Sequence, residues 1–248
     1  MWFQITRSAE SLWWWSAGAL LLLSAATAVV YLLDQRQIDR MSVWAKPVKF
    51  QLSLAVHFAT LALVTTALGN AWRTADLLWW SAVASVASAV FEIGYIMVQA
   101  GRAQGSHFNV RNRFYAAMYV LMAVGAVIIT IAAASVGIAA WADTSAAMGS
   151  AARCGAALGL IGGTVLTFIV AFRMGGALTH HVGTEVVGAR RLPLTGWSLT
   201  VGDWRVPHFF ATHLMQRPRV CPLAPSMGLR RISPAIPSGI FVEPVTRR

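Results

Sequence analysis

The sequence predicts an all-α fold, a polytopic transmembrane helix bundle with five spanning helices, a truncated sixth helix and a disordered basic tail. The chain is 57% hydrophobic and only 12% charged, whereas soluble domains carry about 25% charged residues. Five apolar stretches each approach the roughly 20 residues that a helix needs to cross a bilayer. These predicted spans are 12–33, 51–69, 77–98, 114–141 and 155–172.

The distribution of Lys and Arg predicts how the bundle sits in the membrane. The first, third and fifth loops with their flanks carry eleven of these residues, and the opposite side carries three. The eleven are Arg36, Arg40, Lys46, Lys49, Arg102, Arg111, Arg113, Arg173, Arg190, Arg191 and Arg205, and the three are Arg7, Arg73 and Arg153. Cytoplasmic loops carry such an excess. The N-terminus is therefore predicted to be periplasmic, and the net charge of +11 reflects orientation and not a nucleic-acid partner.

The first stretch is expected to be a retained helix. Its apolar run exceeds the 7–15 residues of a signal-peptide core, and Glu10 stands where a signal peptide carries positive charge. The second helix enters through Pro47, which is tolerated in a first helical turn. Its polar residues recur at helical spacing and share one stripe. These residues are Lys46, Lys49, Ser53, His57 and Thr60.

The third helix carries a longer polar stripe, and Glu92 is its one acidic member. The stripe consists of Ser81, Ser85, Ser88, Glu92, Tyr95, Gln99 and Arg102. The serines are typical of close helix packing, but an ionisable residue within a bilayer costs at least about 2.5 kcal/mol and is a functional candidate. Because sequential antiparallel helices pack side by side, we expect a Glu92–His57 contact. This contact would serve either helix packing, or proton transfer or ligand binding.

The stretch 99–109 ends the third helix in a glycine-containing turn with polar groups just beyond it. A solvated helix cap and a ligand site both fit this pattern. The candidate ligand-binding residues are Lys46, Lys49, Gln99, Arg102, Ser106, Asn109 and Arg205. The candidate catalytic residues are Glu92, His57, His107 and Asp203.

Histidines in and after the long fifth loop are candidate metal ligands, namely His181, His208 and His213. His208 and His213 are five residues apart, so they do not share a helix face as the i, i+4 pair of a metal-binding helix does. In the fifth helix, Gly155, Gly159 and Gly163 form a repeated GxxxG pattern, which favours close helix packing.

Several motifs resemble an uncharacterised family of bacterial polytopic integral membrane proteins with no established activity. They are Trp44-Ala45-Lys46-Pro47 with Lys49-Phe50, Ser106-His107-Phe108-Asn109, Gly196-Trp197-Ser198, Gly202-Asp203-Trp204-Arg205, and His208-Phe209-Phe210 with His213 and Gln216. The resemblance covers about residues 40–216 and implies a bacterial membrane protein. Such proteins would continue with a full sixth helix, whereas here an Arg-Pro-Arg sequence ends the apolar run 207–216. The membrane domain is thus expected at 1–216, and the Pro/Arg-rich 217–248 is typical of a disordered tail or a frameshift product.

Three functions remain open for this bacterial inner-membrane protein. The first is a polar His/Glu/Asp cluster near the cytoplasmic face that forms a membrane-embedded metal or haem site. The second is a proton-coupled transporter, and the third is a structural component of a membrane assembly. No nucleotide-binding loop, zinc-protease signature or nucleophile elbow is present. The sequence leaves the cofactor undefined, its expected partner is the lipid bilayer, and it is compatible with a homo-oligomer.

Overall fold

The computed structural model of the protein describes residues 8–38, 40–184, 188–193 and 195–216. Arg7, which entered the charge count, lies outside the described residues. The predicted tail 217–248, with its proposed frameshift, lies outside them as well.

The described part of the chain is mostly helical, which confirms the predicted fold class. In chain order the elements are α1 Ala9–Leu33, β1 Gln37–Ile38, β2 Met41–Ser42, α2 Ala45–Thr66, α3 Asn70–Arg73, α4 Asp76–Gly101, α5 Arg113–Ala142, α6 Ser150–Ala177, β3 His181–Val182, β4 Gly202–Asp203 and α7 Arg205–Leu214. Five of these helices are long and apolar enough to span a membrane, namely α1, α2, α4, α5 and α6. The ten-residue α7 corresponds to the predicted truncated sixth helix. The strands form two antiparallel pairs, β1 with β2 and β3 with β4.

Most helix ends lie beyond the apolar stretches that predict them, but α2 ends at Thr66, three residues before the predicted end at 69. The helix α2 begins six residues before the predicted span 51–69, because Pro47 lies in its first turn, where a missing N–H costs no intrahelical bond. The first helix begins after Ser8, whose side chain accepts a hydrogen bond from the Ser11 N–H. Asn112 caps α5 in the same way. Hydropathy thus marks the apolar part of each helix, whereas capping and backbone geometry set its ends.

The bundle is apolar on its outside and polar on parts of its inside. Leu22, Leu32 and Val90 are 76%, 71% and 70% exposed, whereas Glu92 and His57 are each only 4% exposed. Monomeric soluble proteins rarely expose large contiguous apolar surfaces. In a bilayer this arrangement places hydrocarbon against apolar side chains and keeps polar groups among themselves. The chain is therefore a multi-pass membrane protein with lipid as its environment.

The loops gather at two opposite ends of the bundle. At one end, the Arg73 guanidinium forms an ion pair with Glu10, and the Gly69 N–H donates to the Asp143 carboxylate at 2.6 Å. The other end, here called the His107 end, consists of the described residues of the loops 34–44, 102–112 and 178–204. At this end the Arg36 guanidinium donates to the Gly101 carbonyl at 2.8 Å. Alternate loops therefore meet, as an antiparallel bundle requires.

The first helix is an integral part of the bundle. The Trp13 indole Nε1–H donates to Ser85 Oγ on α4 at 3.1 Å, and both residues are buried. Gln51 Nε2 on α2 donates to Thr27 Oγ1 on α1 at 3.1 Å. The serine stripe of α4 therefore receives a tryptophan side chain from α1.

The short helix α7 returns along α6. The Arg173 guanidinium lies over the Trp204 ring at 6.0 Å, and Ala211 and Met215 pack against Gly163 further along α6. A methyl group added at Gly163 would lie 3.1 Å from both the Ala211 carbonyl oxygen and the Met215 nitrogen. Glycine at this position is what allows the two helix backbones to approach.

We predict that a reporter fused after Arg73 is periplasmic, whereas one fused after Arg111 is cytoplasmic. The physical reason is the Lys/Arg excess at the His107 end. Alkaline phosphatase should be active only in the first fusion, and green fluorescent protein should fluoresce only in the second. Fluorescence of the fusion after Arg73 would contradict this orientation.

Substituting Gly163→Ala should destabilise the packing of α7 on α6, because the new methyl group meets backbone atoms that cannot rotate away. Overpacking of this kind costs about 1–3 kcal/mol. The matched control is Gly162→Ala, since a methyl group there meets no atom within 4 Å. Thermal unfolding of the detergent-solubilised protein should show a lower midpoint for Gly163→Ala alone, and equal midpoints would refute the close contact.

Candidate functional site

Lys46 and His107 form the centre of the His107 end. Lys46 lies in the first turn of α2, and His107 lies in the loop between α4 and α5. The Lys46 Nζ is 2.8 Å from His107 Nδ1, and Ser106 Oγ is 3.3 Å from the same nitrogen. The Phe50 ring packs edge-on against the imidazole, with the ring centres 5.6 Å apart. A lysine from one helix thus reaches a histidine sixty-one positions later in the chain.

Burial determines the protonation state of His107. Burial, followed by the positive charge of Lys46, lowers the pKa of His107 well below its ordinary value of 6.5. At neutral pH the imidazole therefore carries one proton. When Lys46 is an ammonium it can only donate, so His107 Nδ1 is the acceptor and Nε2 carries the hydrogen.

The polar stripe of α4 runs from the His107 end into the interior of the bundle. The Gln99 Nε2 donates to the Gly105 carbonyl at 3.2 Å and so supports the loop that carries His107. Deeper in the bundle, the buried Tyr95 hydroxyl and Glu92 Oε1 have no hydrogen-bond partner among the described residues. Lys46 is the charged group with which Glu92 interacts electrostatically.

Glycine on α5 makes room for the Glu92 side chain. A methyl group at Gly125 would lie 3.0 Å from Glu92 Oε1. His57 also faces α5, where its Nε2 is 3.3 Å from the Ile129 carbonyl oxygen. Gly125 and Ile129 are one turn apart, so Glu92 and His57 lie against successive turns of α5. A direct Glu92–His57 contact stays a prediction.

A second cluster consists of His180, His181 and Asp203, and lies in the connection between α6 and α7. The strands β3 and β4 place His181 directly opposite Asp203. The two imidazole Nε2 atoms are 2.7 Å apart, and one ligand atom from each of the three residues lies within 4.8 Å of the others. Burial, followed by the charge of Arg205, lowers the pKa of His180 to about 4. His180 is therefore neutral at physiological pH.

Asp203 is held by Arg205. The Arg205 guanidinium donates to both carboxylate oxygens, and the Ser198 N–H donates to Oδ2 at 2.9 Å. Burial acts to raise the pKa of Asp203, but the hydrogen bonds from Arg205 and from backbone N–H groups outweigh it and lower the pKa to about 2. Arg205 also donates to the Gly196 carbonyl at 2.7 Å, so this pair organises the loop before α7.

Phe108 joins the two clusters. Its ring stacks on the His180 imidazole with the ring centres 6.3 Å apart, and it packs against the Tyr119 ring at 5.7 Å. Phe108 has a backbone φ of +57°, which is unusual for a bulky residue and occurs where surrounding contacts impose it. The loop 102–112 is therefore fixed between Lys46 on one side and His180 on the other.

Other predicted site residues have structural contacts at the same end. Arg102 donates to the Tyr115 hydroxyl at 3.4 Å, Asn109 donates to the Gly105 carbonyl at 3.2 Å, and Lys49 donates to the Thr195 carbonyl at 3.1 Å. His208 and His213 on α7 each bury an Nδ1 with no partner among the described residues. In the described part of the chain, neither belongs to the group that contains His181.

Sequence reasoning did not select His180 or Phe108. The adjacent pair His180-His181 could have indicated this cluster, since two neighbouring imidazoles can bind the same metal ion. Nothing in the sequence indicates that Phe108 stacks on His180, because the two residues lie in different loops.

Acid should weaken the packing of His107. Because the pKa of His107 is lowered in the folded protein, the unfolded chain binds a proton first as the pH falls through about 6.5. Stability that is fully present above this pH is therefore lost below it. The thermal midpoint should fall between about pH 7.5 and about pH 5.5, across the ordinary histidine pKa. In His107→Gln the fall should be smaller, and an equal fall in both proteins would contradict the account.

Comparison of the chain with protein-family models, curated proteins and solved structures finds no match. The arrangement just described consists of a Lys46–His107 pair above Glu92, and a His180–His181–Asp203 cluster beside it.

Proposed function

We propose that this chain is a bacterial inner-membrane protein, with its N-terminus in the periplasm, that transfers protons across the bilayer. The cytoplasmic half of the proposed path consists of His107, Lys46 and Glu92. The observation that carries it is the 2.8 Å contact between Lys46 Nζ and His107 Nδ1, above a buried carboxylate with an unpartnered oxygen.

The three groups are suited to stepwise proton transfer. When Lys46 is a neutral amine, His107 carries its hydrogen on Nδ1, and a proton from the cytoplasm that binds Nε2 makes a short-lived imidazolium. This imidazolium gives the Nδ1 proton to the Lys46 amine, and the resulting ammonium gives a proton to the Glu92 carboxylate. The lysine stem has four carbons and is flexible, so its amine can move between the two partners. Each transfer passes one proton from a cationic donor to a neutral or anionic acceptor. The reverse sequence returns the proton to the cytoplasmic face.

The path has polar groups available beyond Glu92. His57 lies against the next turn of α5, and Thr60 and Thr65 follow it along α2 as fully buried residues. The Thr65 hydroxyl has no hydrogen-bond partner among the described residues. Ionisable and polar side chains inside a bundle are typical of proton relays in pumps and transporters.

The motifs at Lys46, at His107 and at Asp203 support assignment to the uncharacterised bacterial membrane family noted above, which has no established activity. The alternative of a purely structural role assigns these polar groups to helix packing alone. The two alternatives differ in one measurable property, which is whether protons move.

We predict that proteoliposomes containing the protein dissipate an imposed pH gradient faster than protein-free liposomes. A pH-sensitive dye reports the rate, with valinomycin and potassium present to prevent a membrane potential from building up. Glu92→Gln should reduce the rate to that of protein-free liposomes, because the amide cannot ionise.

The matched control is Asp76→Asn, which removes an acidic charge from the exposed opposite end of the same helix. This variant should conduct like the wild-type protein. A wild-type rate equal to that of empty liposomes, or an unchanged rate in Glu92→Gln, would reject proton transfer and favour the structural role.

A further inference from the structure

We propose that His180, His181 and Asp203 bind one divalent transition-metal ion, and that Zn²⁺ is its best match. Their ligand atoms already lie within 4.8 Å of one another. The site uses residues that are separate from the proton path, so a test that rejects one of the two proposals does not reject the other.

The ligand set indicates the class of metal. Two imidazole nitrogens and one carboxylate oxygen suit Zn²⁺ and its neighbours, whereas Mg²⁺ and Ca²⁺ prefer oxygen ligands alone. Bonds of about 2.0–2.1 Å in a tetrahedral site place neighbouring ligand atoms about 3.3 Å apart. The two Nε2 atoms, now 2.7 Å apart, need only a small rotation to reach that spacing. The imidazole that donates its Nε2–H would move this hydrogen to Nδ1, so that both Nε2 lone pairs face the metal, and a water molecule would complete the tetrahedron.

Backbone pairing holds the three ligands in place. His181 and Asp203 are opposite each other in the β3–β4 ladder, and the Trp204 N–H donates to the His180 carbonyl at 2.8 Å. The Thr179 Oγ1 accepts from the His181 N–H at 3.2 Å. Because these bonds involve the backbone, the side chains can rotate onto a metal ion without unfolding the loop.

Arg205 fits the role of an outer partner of the metal site. A carboxylate has two oxygens and about four lone-pair positions, and donors already occupy those of Asp203. The Arg205 N–H and Nε–H donate to Oδ1, and the Arg205 Nη2–H and the Ser198 N–H donate to Oδ2. Carboxylates that bind metals are themselves usually hydrogen-bonded, which fixes their orientation. A metal bound by Asp203 would displace one of these donors, and the remaining ones would still position the carboxylate.

A bound ion would connect two loops of the His107 end. His180 stacks on Phe108, whose loop carries His107. Through this contact, a metal that fixes His180 also restrains the loop 102–112 against the connection between α6 and α7. The metal would thus act as a clamp at this end of the bundle.

Equilibrium dialysis of the purified, tag-free protein against Zn²⁺, together with the visible absorption of bound Co²⁺, tests the site. We expect one equivalent of metal and a Co²⁺ spectrum typical of tetrahedral coordination. His181→Ala and Asp203→Asn should each weaken binding at least about tenfold, on the scale known for perturbed metal sites. The control His213→Ala, which removes an imidazole from α7, should bind like the wild-type protein.

Asp203→Asn also loses its ion pair with Arg205, so His180→Gln provides a second ligand variant that leaves that pair intact. Failure of the wild-type protein to bind Zn²⁺ or Co²⁺ would overturn the proposal. Unchanged binding in both His181→Ala and His180→Gln would overturn it as well, as would loss of binding in His213→Ala alone.

Discussion

Hydrocarbon offers no hydrogen-bond partner, and the arrangement of polar groups within the spanning helices follows from that constraint. The helices satisfy their own backbone groups, expose leucine and valine, and bury Glu92 and His57. Glu92 is the sharpest case, because it is 4% exposed, lies within a spanning helix, and has an oxygen with no partner among the described residues. Such a group costs free energy and needs a compensating role. Lys46, in the first turn of α2, is an opposite charge that interacts with it electrostatically.

The His107 end is organised by long-range contacts between loops. Lys46 holds His107, Phe108 reaches across to His180, and Arg205 holds Asp203 beside that histidine. The unusual backbone conformation of Phe108 is the local cost of this arrangement. Two glycines make close contacts possible inside the bundle. Gly125 leaves space for the Glu92 side chain, and Gly163 leaves space for α7, which a larger residue would displace.

Hydropathy and helical spacing predicted the spanning helices and the buried stripe on α4, because both depend on properties that repeat along one helix. The same reasoning could not predict the pairing of Lys46 with His107, which depends on how a loop folds back over another helix. His180 was missed for a related reason. Its neighbour His181 is paired with Asp203 in a ladder of two-residue strands, and such short strands have no periodicity to detect. The start of α2 at Ala45 lies outside its apolar stretch, because proline geometry and not hydropathy sets it.

The central claim is that Glu92 is an internal acid in communication with the aqueous phase. Infrared difference spectroscopy of the protein in lipid bilayers, recorded across a pH step, tests this most directly. We expect a carboxylic-acid carbonyl band that changes with pH, shifts in D₂O and is missing from Glu92→Gln. A spectrum in which the wild-type protein and Glu92→Gln respond identically to pH would contradict the account.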